Sequence, residues 1–115
     1  MTRQQKWAKR AHDDVLRRKA EPNTRQAYRT VALGAPILIR QSGLVQALAF
    51  WMTRSEAAAQ EFAKDLATTL DSGAIENLVR RAHTAELPDY LALTRDAVEV
   101  AMWYRRFAQS ELKEE

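Results

Sequence analysis

Gly34, Gly43, Gly73, Pro22, Pro36 and Pro88 are the only glycines and prolines in a chain of 115 residues. Their scarcity and placement largely decide what the chain can become. The stretches between them are rich in Ala, Leu, Arg, Glu and Gln, all good helix formers. No segment of useful length alternates apolar and polar residues, as a half-buried strand must. The chain therefore reads as all-α, a single domain over residues 1–115 built as a bundle of about six short helices around one core.

The first helix is predicted from about Thr2, a possible N-cap, to Ala20, stopped by Pro22. Trp7, Ala11 and Val15 follow an i, i+4, i+8 spacing and form its buried stripe. Asn23 or Thr24 caps a second helix running towards Leu33. Gly34 and Pro36 predict a break there, then a new turn in which Ile37, Leu38 and Ile39 are buried all round. Gly43 fits a left-handed C-terminal cap. Residues 44–54 predict a short helix apolar on more than one face, which either crosses the bundle or meets a partner. Ser55 with Glu56 opens the next helix, with Phe62, Leu66 and Leu70 inside, and Asp71-Ser72-Gly73 ends it. Ser72 with Glu76 starts residues 74–85. After Leu87-Pro88-Asp89, Thr94 with Asp96 caps a final helix to about Leu112.

The net charge of +3 hides an asymmetry. Residues 1–54 carry eleven bases against three acids, a balance of +8, whereas residues 55–115 carry seven against twelve, a balance of −5. The basic half is a candidate polyanion binder. At 100° per residue, Arg3, Lys6, Arg10 and Arg17 share one face of the first helix, a strip about 21 Å long at 1.5 Å per residue. With Lys9, Arg40 and Arg54 they are the candidate nucleic-acid contacts. The alternative is a purely structural module: the basic face meets an acidic partner, or the chain's own acidic half, without RNA. A DNA-binding regulator is disfavoured, because the helix that would read bases, 44–54, is too apolar.

No catalytic constellation is visible, and the chain reads as a non-enzyme needing no cofactor or metal. His12 and His83 have no ligand spacing. His12-Asp13-Asp14 are consecutive and point in different directions on a helix, and the aspartates have Arg10, Arg17 and Arg18 as helical neighbours. Cysteine is absent, which points to a reducing, cytoplasmic setting. Met1–Lys19 has no apolar core of a signal peptide, and no run approaches a membrane span. Trp7 and Trp51 read as core or subunit contact. Trp103 falls at the edge of its stripe, beside Arg106.

With the helices placed, a pattern emerges. Tyr28, Pro36-Ile37-Leu38-Ile39, Gly43-Leu44, Gln46 and Ala47-Leu48-Ala49-Phe50 resemble the central signature of the small-subunit family of the type III-B CRISPR (Cmr) effector complex. Tyr90-Leu91, Leu93-Thr94-Arg95-Asp96-Ala97 and Trp103-Tyr104-Arg105-Arg106-Phe107-Ala108 are similar to that family's last helix. The resemblance covers most of residues 3–54 and 88–112 and leaves 55–87 unmatched. Ser42 departs from a frequent asparagine, and Val45 from a frequently small residue. The resemblance implies a six-helix bundle that assembles with other Cmr subunits, notably the backbone subunit, which performs target cleavage. It also implies copies that stack into a minor filament beside guide RNA and target RNA. Leu44, Phe50, Trp51 and Trp103 are the candidate protein contacts.

Overall fold

A computed structural model describes residues 1–113, and among these residues every regular element is a helix. Helix α1 spans Arg3–Lys19. Thr2 caps it in a reciprocal box: Gln5 N donates to Thr2 Oγ1 at 3.1 Å, and Thr2 N donates to Gln5 Oε1 at 2.8 Å, satisfying two otherwise orphaned donors. Trp7, Ala11 and Val15 are its buried stripe, as the spacing predicts. Arg17, Arg18 and Lys19 fill its last turn, where cations suit the helix dipole.

Helix α2 is continuous over Arg25–Ser42, with Pro36 inside it. The predicted break at Gly34–Pro36 does not occur. Pro36 removes one backbone donor, but Tyr28, Ala32, Ala35 and Ile39 on the same helix bury a stripe along α6, and that packing outweighs local propensity. The same continuity corrects the burial expected around Pro36. Ile39 is in the core, but Ile37 is exposed, because consecutive residues of a straight helix cannot all face inward.

Gly43 joins α2 to α3, Leu44–Thr53, at φ +83 and ψ 162. That conformation is essentially restricted to glycine. A Cβ there would also sit 3.0 Å from Tyr90 Oη, which accepts from Val45 N at 3.2 Å. Helix α4, Ala57–Thr69, is preceded by Glu56 at the cap position with no side-chain cap bond, so the Ser55 cap expected from sequence is absent. Asp71 and Gly73, both at positive φ, turn the chain into α5, Ile75–Thr84. Ala74, not Ser72, occupies its cap position. Helix α6 runs unbroken over Leu87–Glu111, with Pro88 in its first turn. Proline suits a helix start, where its missing donor costs nothing, so the helix begins two turns before Thr94.

The central element is α4, which packs against all five other helices. Its Phe62 meets Tyr28, Trp51 and Tyr104 edge-on, at centroid distances of 5.8, 5.0 and 5.4 Å. Helix α6 is the long spine. It lies parallel to α1, with Arg3 against Asp96 and His12 against Glu111. It lies antiparallel to α2, with Gln26 reaching the Lys113 carbonyl and Tyr90 the residue after the Gly43 turn.

Candidate nucleic-acid interface

The basic strip on α1 forms as a strip, but the chain's own acids occupy most of it. Arg3 forks onto Asp96 of α6 at 3.3 and 3.5 Å. Arg10 meets Asp71 in the α4–α5 turn at 2.7 Å. Arg17 bridges Asp14 at 3.0 Å and Asp65 at 3.1 Å. Lys9 pairs with Asp13 one turn on, at 2.9 Å. Arg54 pairs with Glu56 at 3.4 Å and lies over the Phe50 ring. Among the described residues, Lys6 and Arg40 are the two of the seven candidate cations that have no ion pair; both are exposed. Arg40 and Arg54 are carried by α2 and the end of α3, so the seven residues do not form one continuous face of a single helix.

The strip borders an open groove of about 560 Å³ lined by Arg10, Asp14, Arg17, Thr68, Thr69 and Asp71, among others. Beneath it lies a buried polar hub. Asp65 accepts from Tyr28 Oη at 2.7 Å, from Arg17 at 3.1 Å and from Arg18 at 3.1 and 3.3 Å. Tyr104 Oη donates to Asp14 at 2.6 Å and is 2.8 Å from Thr69 Oγ1. Burial pushes the Asp14 carboxyl above its ordinary range, against the pull of its bonds from Tyr104 and Arg17. Burial, reinforced by the neighbouring carboxylates, pushes both phenols far up, so they remain neutral donors. Each carboxylate here is held by donors of the fold. Among the described residues there is no group of three His, Cys, Asp or Glu side chains placed to hold a metal ion.

His12 does not join Asp13 or Asp14. It turns to α6, where Nε2 is 3.0 Å from Glu111 and the ring stacks on Phe107 at 4.5 Å. His83 is exposed, and its Nδ1 lies 2.9 Å from the Val79 carbonyl.

Of the candidate protein contacts, Leu44 and Trp51 are core residues, 0 % and 2 % exposed, because α3 turns that face onto α2 and α4. This corrects the expectation that they form a contact surface. Phe50, about a third of a turn round α3 from that face, is 47 % exposed. Trp103 is half-buried at the α1–α6 seam, where its Nε1 donates to Gln4 Oε1 at 2.8 Å. Sequence reasoning missed the exposed Leu87 and Leu91 near the start of α6. Their i, i+4 spacing is a usable signal, but the late start assigned to that helix conceals it.

A family model described as CRISPR-associated protein (Cas_Cmr5) matches residues 3–111. The chain belongs to the Cmr5 family. The match includes residues 55–87, which carry α4 and α5. The protein described as CRISPR system Cmr subunit Cmr5 from Thermus thermophilus is 42% identical over 113 residues, covering 98% of each chain. A crystal structure of a CRISPR-associated Cmr5 family protein from the same organism superposes with a TM-score of 0.93 at 42% identity, covering 98% of this chain and 99% of that one. The helices of this Cmr5-family chain therefore follow the fold of a solved relative almost end to end. No helix among its described residues is long and apolar enough to cross a membrane.

Proposed function

We propose that this chain is the non-catalytic small subunit of a type III-B CRISPR (Cmr) effector complex in the cytoplasm, helping to hold guide and target RNA during antiviral defence. The observation that carries the reading is near-complete coverage, in sequence and in fold, by a protein described as a Cmr subunit. In this role the chain docks on other Cmr subunits, notably the backbone subunit, and copies of it stack into a minor filament. Its RNA contact is sequence-independent. Phosphate neutralisation supplies affinity without specificity, and in an RNA-guided machine base pairing supplies the rest.

Lys6 and Arg40 are the cations most ready for phosphate. Arg3 and Arg10 hold exposed pairs, each worth only about 0–1 kcal/mol, so they can exchange a carboxylate for a phosphate. Arg17 is tied into the buried hub and is the least free of the strip. The test is single-stranded RNA binding by the chain over a range of salt, beside a variant carrying Lys6→Glu, Arg3→Gln and Arg10→Gln. Arg17 is kept, so that the hub survives. Weaker binding and a shallower salt dependence in the variant support the RNA reading, whereas unchanged binding removes the α1 strip from it.

A second reading draws on the ion pairs themselves. Five of the seven candidate cations already meet acids of this chain, which suits a structural module whose basic face meets protein carboxylates without RNA. If the same variant fails to assemble with partner subunits while its RNA affinity is intact, that reading replaces the first.

A further inference from the structure

The aromatic rings of this chain pack in two different ways. In the core, all three ring pairs around Phe62 are edge-on, with interplanar angles of 61, 70 and 74°. At the α1–α6 seam the rings lie face to face. His12 stacks on Phe107 at 25°, and Phe107 on Trp103 at 5.9 Å and 18°. The Arg106 guanidinium lies over the Trp103 ring, 5.1 Å from its centroid. The result is a column of successive pairwise contacts, imidazole to phenyl, phenyl to indole and indole to guanidinium, at the α1–α6 seam.

The column is held in place. Trp103 and Phe107 are one helical turn apart on α6, which makes them neighbours on one face of the helix. Gln4 accepts from Trp103 Nε1 at 2.8 Å while its own amide donates to Glu99 at 2.8 Å. At the far end, His12 is fixed by Glu111 at 3.0 Å, and Glu111 also takes Lys19 at 3.3 Å. Only the outer layer is loosely held. Arg106 is exposed and has no ion pair among the described residues, and a cation over an exposed ring is a weak contact.

We infer that this column is a stacking platform for an unpaired nucleobase of single-stranded RNA. Trp103 receives the base, and Arg106 swings from the ring to the adjoining phosphate. The inference rests on the RNA-contact reading above and adds that a base is held as well as the backbone. A ring face accepts any base, so the platform selects for single-strandedness rather than for sequence. The polar flank of Gln4, Glu99 and Arg106 around Trp103 favours this occupant over an apolar protein side chain.

The test measures binding of the full chain at low salt to a short labelled oligoadenylate and to an abasic oligoribophosphate of equal length and charge. The platform predicts tighter binding of the base-bearing ligand by on the order of tenfold. Trp103→Ala abolishes that preference and Trp103→Phe keeps most of it, with helical content unchanged by circular dichroism. Should Trp103→Ala lose helicity, the wild-type ratio and Trp103→Phe decide the matter. Equal affinity of the wild type for the two ligands overturns the platform and leaves an RNA contact made through phosphates alone. Binding to neither overturns both readings. A preference that survives Trp103→Ala overturns the platform and puts the base contact elsewhere on the chain.

Discussion

Asp65 accepts from Tyr28, Arg17 and Arg18, which come from two other helices, and it is 5 % exposed. Removing one member of such a group strands the others in a poorly solvated site. Asp65→Ala is therefore expected to cost about 3–5 kcal/mol, read from the urea midpoint at constant m-value. Asp14, one layer further out, supplies a pH signature. Its folded pKa is raised above 3.8, so the folded state holds this proton more tightly than the unfolded state. The resulting stabilisation is complete below 3.8 and is lost as pH rises through the folded value. The stability of the wild type minus that of Asp14→Asn should fall with rising pH across that window, checked by paired denaturation curves. The pairing of Asp14 with Arg17 on one helix was legible in the sequence, but the rest of this hub was not. Asp65 and Asp71 look there like ordinary solvated charges, and their partners lie 37 to 61 positions away. Helical periodicity locates the α1 strip correctly but is silent about which distant carboxylates will face it.

Among the helices, the positions of glycine and proline told most of the story, and the failures are instructive. Pro36 and Pro88 look alike in sequence. One sits inside a helix and the other at the start of one, because local chemistry forbids neither and packing on α6 decides the first. Gly34 is a helical residue with open space where its Cβ would be. Gly34→Ala should raise stability by about 1 kcal/mol through helix propensity alone, visible as a higher melting temperature. Gly43 is the opposite case. Its positive φ and the nearby Tyr90 hydroxyl mean that Gly43→Ala should lower stability by about 1–3 kcal/mol, measured in the same way. The sequence marked both as interruptions, and only the tertiary setting separates a tolerated glycine from a required one. Six helices and most of the buried stripe were readable because amphipathic periodicity is a local signal. The central place of α4 was not, since a helix rich in alanine carries little pattern to read.

For the molecule as a whole, the charge asymmetry between the two halves of the chain is largely neutralised internally. The basic α1 strip faces acids from α4, the α4–α5 turn and α6. RNA binding by the isolated chain should therefore respond to salt as a few phosphate contacts would. A log–log slope between about −1.4, for Lys6 and Arg40 alone, and about −2.8, with the exchangeable Arg3 and Arg10 added, is expected rather than about −5 for all seven, at roughly −0.7 per contact. A steeper slope would mean that the pairs of Lys9, Arg17 and Arg54 also open on binding. The parallel seating of α1 on α6 has a further consequence for how the chain acquires its shape. Helix α1 finds its main neighbour in α6, across some 90 positions. Trp7, Ala11 and Val15 are therefore fully covered only once α6 has packed on α1. A small single domain of this kind is expected to unfold in one all-or-none transition. In hydrogen exchange, the amides of the two terminal helices should open together, as one cooperative unit, rather than fray as independent ends.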